Sequence, residues 1–424
     1  MARKQVAPII VVGAGAAGLM VARELARAGR PVTILEARDR CGGRIHPLPE
    51  AGFGYAAEGG AEFVHGEAPV TRGLLREAGL SLLPLEGRRW RVRNGKFTPD
   101  EPQDPHQDEL HDALQALRDD LTVAEFLRRH FAGSDYEPLR REILRMVEGY
   151  DAADPERAST LALRDEWMGG DHRAQGRIAG GYGALSDFLL AECRRHRVAI
   201  HLGATVAAVE ASGDGAVVRC VGGGIHHGDA VVLTVPLPLL DGIALPPADR
   251  ARAAAAAEHI GFGNVIKLLL RFDTAWWLDH GNDVADLMFL LSEETIPVWW
   301  THPAGMPVLT GWFGGPRTEA LRHLGEPELI DAGLGSLASI FGRDPSQLKQ
   351  KLVAARALDW ARDPHARGAY SWATPQSRAA QAELSRNVGG VVLFSGEALY
   401  RGKDMGTVEA ALASGLETAR TLLG

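Results

Sequence analysis

Cysteine is scarce in this chain. Cys41, Cys193 and Cys220 are the only three in 424 residues, with no CxxC pair and no regular spacing. That excludes a disulfide framework and a thiolate metal site, and it is the usage of a reducing compartment. Long apolar runs are missing as well, so no stretch reaches the roughly 20 residues that would cross a bilayer. Arg3 and Lys4 do precede an apolar stretch, but Pro8 interrupts it and a glycine-rich turn follows, so it reads as a folded strand rather than a signal peptide. Clustered positive charge is also absent. The formal net charge is −8, and the short runs Arg88–Arg89 and Arg194–Arg195 suit solvated faces, which argues against a nucleic-acid partner. His226 and His227 fall in an expected turn with no HxxH or acid-rich ligand set, so no metal is expected. These absences leave a cytoplasmic, non-membrane protein, and no feature specifies its oligomeric state.

What is present is an ordinary globular composition, 46% hydrophobic and 24% charged, long enough for two domains. Ile9–Val12 is a short apolar run suited to a buried parallel strand, and Leu19, Ala22, Leu25 and Ala26 then line one face of a helix that Gly29 stops. Val32–Leu35 is a second strand, completing a βαβ unit. Between the first strand and the helix lies Gly13-Ala14-Gly15-Ala16-Ala17-Gly18. The first glycine permits a tight turn, the second allows backbone to approach a pyrophosphate, and the third lets helix and strand pack closely. Amides at the helix start then face the phosphate charge. Glu36, eighteen residues past Gly18, stands where a carboxylate binds a ribose diol. No second GxGxxG occurs in strand–turn–helix context: after Gly261-Phe262-Gly263, Ile266 occupies the third glycine position. One dinucleotide is therefore expected, with no separate nicotinamide site.

Residues from about Ala68 to Gly176 are rich in Leu, Arg and Glu at helical spacing, with a loop at Pro99–Pro105, and read as a mainly helical insertion. A helix through Leu185 and Leu189 follows. Short strands are expected at Val198–Leu202, Val206–Val209, Val217–Cys220 and Val231–Thr234, then at Val265–Phe272, Met288–Leu291 and Val308–Trp312. A helix at Glu328–Phe341, a strand at Val391–Phe394 and a final helix through Leu422 complete the reading.

The run Glu36-Ala37-Arg38-Asp39-Arg40-Cys41-Gly42-Gly43-Arg44 resembles the extended signature of the flavin-containing amine oxidases, a family that includes monoamine oxidases, polyamine oxidases and lysine-specific histone demethylases. The resemblance makes the dinucleotide FAD, with Arg44 a fixed cation near it. It continues along most of the chain. Glu58-Gly59-Gly60-Ala61-Glu62-Phe63-Val64-His65-Gly66 is similar to the flavin-facing segment of polyamine oxidases, and Val206 falls on the strand that meets the adenine. Thr234-Val235-Pro236-Leu237 resembles the crossing between two domains, and Ser395-Gly396-Glu397 the segment holding the ribityl chain. Thr407-Val408 opens the last helix, whose amides suit negative charge on a reduced flavin.

Lys267 interrupts the apolar strand Val265–Phe272, where a lysine is costly without a purpose. Gly261 through Lys267 resembles the family segment whose lysine holds a water against flavin N5. Trp360-Ala361-Arg362-Asp363-Pro364 and Arg367-Gly368-Ala369-Tyr370 are likewise similar to the family, which implies that Tyr370 walls an aromatic cage and that Trp360 packs beside it. His65 and Glu62 could each contact a substrate nitrogen, the histidine titrating near neutrality. Several positions depart from the family pattern. Ala369 replaces the cysteine that attaches flavin in monoamine oxidases, so FAD is expected to be non-covalent. Thr407 replaces a second cage tyrosine, and Phe63 replaces the carboxylate-binding arginine of amino-acid oxidases.

The expected fold is α/β. A Rossmann-type FAD-binding domain (residues 1–67, 178–239 and 386–424) is interleaved with an α+β substrate-binding domain of mixed sheet and helices (68–177 and 240–385). The expected function is amine oxidation: hydride passes from the substrate α-carbon to flavin N5, the imine hydrolyses, and dioxygen reoxidises the flavin to give hydrogen peroxide. The partners are then a small amine and dioxygen. A desaturase or protoporphyrinogen-oxidase-like enzyme, and a non-catalytic flavin-binding module, are the alternatives. Glu148, Asp151 and Glu166 could make an acidic mouth for a polyamine, while Trp299, Trp300 and Trp312 could instead line a path for an arylalkylamine.

Overall fold

The computed structural model describes residues 7–100, 105–168, 175–212, 215–279, 284–302, 305–386 and 390–424. Arg3, Lys4 and most of the loop expected at 99–105 lie outside them. A five-stranded parallel sheet runs in the order Val392–Phe394, Ala230–Leu233, Ile9–Val12, Val32–Leu35, Ala199–His201. Its central strands are buried on both faces, as continuous apolar runs require when helices cover a parallel sheet. The first helix, Ala16–Arg27, packs against the last, Val408–Leu423. Gly415 makes that approach possible, because a Cβ there would sit 2.6 Å from the Ala17 carbonyl. This is the Rossmann-type layer, assembled from three separated stretches of chain.

A second, seven-stranded sheet is mostly antiparallel, with Val265–Phe272 and Val308–Gly314 near its centre. Glu326–Phe341 covers one face, burying Leu334, Leu337 and Phe341 against Leu268, Leu270 and Trp299. Four helices between Gln107 and Met168 bury their own cluster around Phe126, Leu139 and Val147.

The stretch 68–176 is not mainly helical throughout. Arg88–Arg93 and Lys96–Pro99 form a hairpin at the edge of the seven-stranded sheet. Trp90 and Val92 point into the core while Arg89 and Arg93 stay exposed on the other face, a period of two that the density of arginine obscures. Asn94 and Gly95 both take positive φ (50° and 71°), as a tight two-residue hairpin turn demands.

Candidate active site

Between the two sheets lies a continuous cavity of about 950 Å³. Every residue expected at the cofactor or in the chemistry lines it except Gly18, which lies under the turn. A Cβ on Gly18 would fall 2.0 Å from the Gly13 carbonyl, so it is the close-packing glycine of the motif. Gly13 has φ +103°, and the Thr234 hydroxyl ties the turn down by donating to the Val12 and Gly13 carbonyls (2.8 and 3.2 Å). The helix that follows starts at Gly15 with no side-chain cap, so its first amides are left to whatever occupies the cavity.

The remaining nucleotide-binding positions fit FAD by their own geometry. Glu36 is 6% exposed and anchored on both oxygens, accepting from the amides of Ala14 (2.7 Å) and Arg38 (2.8 Å). Its spare lone pairs suit a ribose diol. Arg38 is held by Asp363 (2.6 and 2.9 Å), which joins the signature loop to the segment after Trp360. Arg44 donates to the Ala369 carbonyl and to Glu397 Oε1, both at 2.8 Å. Glu397 Oε2 is buried with no partner in the protein, an acceptor that a hydroxyl of the cofactor would satisfy. At Gly60 a Cβ would meet the Arg44 carbonyl at 1.9 Å, so only glycine lets this wall form. Thr407 caps the last helix by accepting from the Ala410 amide (3.1 Å), and Val408 begins it at the cavity. No cysteine lines the cavity among the described residues, in keeping with FAD held non-covalently.

Lys267 is 1% exposed on Val265–Phe272, an interior strand of the second sheet. Its Nζ donates to the Gly60 carbonyl (3.0 Å) and to Glu62 Oε2 (2.8 Å), and stands 5.5 Å from the Trp300 ring. Glu62 Oε1 in turn accepts from Arg177 Nε (2.8 Å) and Trp300 Nε1 (3.0 Å). Burial alone would raise the Glu62 carboxyl, but facing Lys267 and Arg177 outweigh it and hold it at about 2. Three donors thus hold its two oxygens, which turns the Glu62 carboxylate toward Lys267, Arg177 and Trp300. No role for Arg177 is visible in the sequence, since it sits on a three-residue strand just past the stretch that reads as helical.

Lys267 and Trp312 are register partners on neighbouring antiparallel strands, so their side chains share a face. Trp312 lies nearly parallel to Tyr370 (19°, centroids 6.4 Å apart) and 5.8 Å from Trp300. The ring that lies parallel to Tyr370 is thus Trp312, fixed by donating to the Gly149 carbonyl at 2.8 Å. The Tyr370 hydroxyl donates to the Tyr150 carbonyl (2.6 Å), so the ring rather than the hydroxyl is offered to the cavity. Trp360 packs behind Gly60 and donates to the Gly59 carbonyl.

His65 does not match the expectation of a group titrating near neutrality. Burial pushes its imidazole down to about 4, and its Nδ1 lies 3.1 Å from the Tyr150 hydroxyl. Near Tyr150 and Tyr370 the cavity is acidic. Burial and neighbouring Glu166 raise Asp151 well above the usual range, while burial and Asp404 push Glu166 up to about 7. Neither Asp151 nor Glu166 has a side-chain hydrogen bond among the described residues. Both line the cavity rather than the outer surface.

The flavin-containing amine oxidoreductase family model matches residues 16–423. The chain belongs to that family. FAD is its cofactor, and the Rossmann-type domain with its companion mixed sheet is the family's fold. Among curated relatives, lysine-specific histone demethylase 1 homolog 3 of Arabidopsis thaliana is 27% identical, covering 97% of this chain but 29% of the relative. Lysine-specific histone demethylase 1B of Mus musculus is 26% identical over 97% of this chain and 52% of its own length. Probable polyamine oxidase 4 of Arabidopsis thaliana is 27% identical over 86% and 76%. This flavoprotein thus spans about half or less of the demethylase relatives. Putrescine oxidase bound to putrescine superposes with TM-score 0.81 at 22% identity, covering 98% and 99% of the two chains. Cyclohexylamine oxidase from Brevibacterium oxydans IH-35A gives 0.81 at 21%, covering 98% of each. These two likenesses show the shared fold. No described helix of this family member is long and apolar enough to cross a membrane.

Proposed function

We propose that this chain oxidises the carbon–nitrogen bond of an amine that carries a second positive charge, with dioxygen as the final acceptor. The observation that carries the reading is the row of Lys267, Trp300, Trp312 and Tyr370 along one wall, leading to the Asp151–Glu166 pair. Bound FAD supplies the hydride acceptor. Ring faces attract the ammonium on entry and orient the neutral nitrogen for reaction. Among the described residues lining the cavity beside Lys267 there is no free base: Glu62 is ionised but held by Lys267, Arg177 and Trp300, and His65 stays neutral and engaged with Tyr150. That arrangement suits hydride loss from the α-carbon better than proton abstraction, with the imine hydrolysing afterwards to a carbonyl compound and peroxide formed on reoxidation. Lys267 keeps one N–H beyond those given to Gly60 and Glu62, enough to hold a water in the cavity.

The acidic pair favours a diamine or polyamine over an arylalkylamine. A desaturase has no use for it, and a binding module has none for a buried lysine in a cofactor wall. Turnover with diamines, matched monoamines, arylalkylamines, free amino acids and N-methylated lysine peptides, followed by peroxide and carbonyl product, tests this reading. Diamines should be the best substrates. A preference for free amino acids, or activity confined to methylated peptides, would reject it.

A further inference from the structure

The Lys267–Glu62–Arg177–Trp300 cluster is more elaborate than a lysine holding a water requires. Lys267 and Arg177 are buried cations (side chains 1% and 8% exposed) that share one carboxylate, itself 10% exposed. Removing charges from water is expensive, and a buried ion stays only where hydrogen bonds and opposite charge compensate it. Here the compensation is deliberately incomplete. Two cations meet one anion, leaving a net charge of one positive unit in the wall formed by Gly60, Ala61 and Lys267. The frame is also rigid. Glu62 takes two donors on Oε1 and Lys267 on Oε2, while Arg177 Nη2 donates to the Thr301 carbonyl (3.0 Å) and its guanidinium lies 4.6 Å from the Phe63 ring. Two of the three N–H bonds of Lys267 are thereby fixed, which fixes the direction of the third.

We infer that Glu62 is a positioning residue for Lys267, locked by Arg177 and Trp300, and that the cluster sets the redox poise of the bound flavin through its single uncompensated positive charge. A reduced flavin is more negative than the oxidised one, so a nearby cation stabilises it. Other titratable groups facing the cluster are Glu58 and Tyr55. Burial raises the Glu58 carboxyl to about 7 and keeps the Tyr55 phenol protonated, so below neutral pH neither adds charge.

The test is the midpoint potential of the FAD-loaded protein, measured below neutral pH against reference dyes and without any amine. This readout depends on FAD occupying the cavity but not on the substrate assignment, so the inference and the proposed function can fail separately. Glu62→Gln leaves two positive charges and should move the potential positive. Lys267→Met leaves none and should move it negative. The double variant restores one charge and should return close to the parent. Arg177→Met supplies a second neutral cluster, with a negative shift expected, should Glu62→Gln fail to fold. Trp300→Phe removes a donor to Glu62 without changing charge and should leave the potential in place. In stopped-flow reoxidation, Glu62→Gln and Lys267→Met should each slow the reaction with dioxygen by about 10- to 100-fold, as loss of a charge-assisted hydrogen bond implies. Glu62→Gln should add no further loss on top of Lys267→Met, because it acts through that residue. Single variants that shift the potential in the same direction, or a double variant lying beyond both, would overturn the inference.

Discussion

Glu166 offers a quantitative check on substrate recognition. A carboxyl raised from 4.5 to about 7 by burial and by Asp404 has lost about 3 kcal/mol of preference for its ionised form. Below pH 7 the free protein therefore holds it protonated, and a distal ammonium must displace that proton to form an ion pair. The groups around it are Asp151, Asp404, Tyr150 and Tyr370, all acids, with Arg89 farther out on the Tyr150 side. The ratio of kcat/KM for a diamine to that for its monoamine homologue cancels the titration of the reacting nitrogen. It should rise by up to about tenfold per pH unit below 7 and level off above it. Glu166→Gln should flatten the ratio and lower it at high pH by about 10- to 100-fold, the scale of a buried charge-assisted contact. Stability should respond with the opposite sign. The native state binds more protons than the unfolded chain between 4.5 and about 7, so this group loses stability as pH rises through that window. Glu166→Gln should accordingly melt higher than the parent above pH 7 and match it below 4.5. A ratio that stays flat in the parent, or a slope that persists in Glu166→Gln, would refute the reasoning.

Gly18→Ala places a methyl group 2.0 Å from the Gly13 carbonyl and should open the turn, reducing FAD retention more than tenfold in a dilution and fluorescence-release assay. His65→Asn should leave the shape of the kcat pH profile around neutrality unchanged, because the parent imidazole titrates at about 4. Trp312→Ala removes the ring parallel to Tyr370 and should raise amine KM about tenfold in steady-state assays while sparing FAD binding.

The cofactor half of the site was legible because glycine spacing, a short apolar strand and an acid at a fixed distance encode backbone geometry directly. Gly13, Gly15 and Glu36 need little tertiary context to be read. Lys267 was legible for a different reason, as a charge in an apolar strand. Its counter-ion frame was not, since Arg177 sits on a strand of three residues and meets Glu62 only through the fold. The hairpin Arg88–Pro99 carried a clear signal in Asn94-Gly95 flanked by alternating Trp90 and Val92, but arginine content masked it. Trp312 as the neighbour of Tyr370 was not legible either, since their strands belong to different sheets and the rings meet only through the fold. Asp151 and Glu166 were visible as residues, and their burial in one cavity was not.

The most direct test of the central claim is anaerobic mixing of the FAD-loaded protein with a diamine in a stopped-flow spectrometer. The absorbance of the oxidised flavin should bleach in a single turnover. Admitting dioxygen should then restore it with one equivalent of peroxide. A flavin that stays oxidised with every amine yet is bleached by another class of substrate would contradict the account.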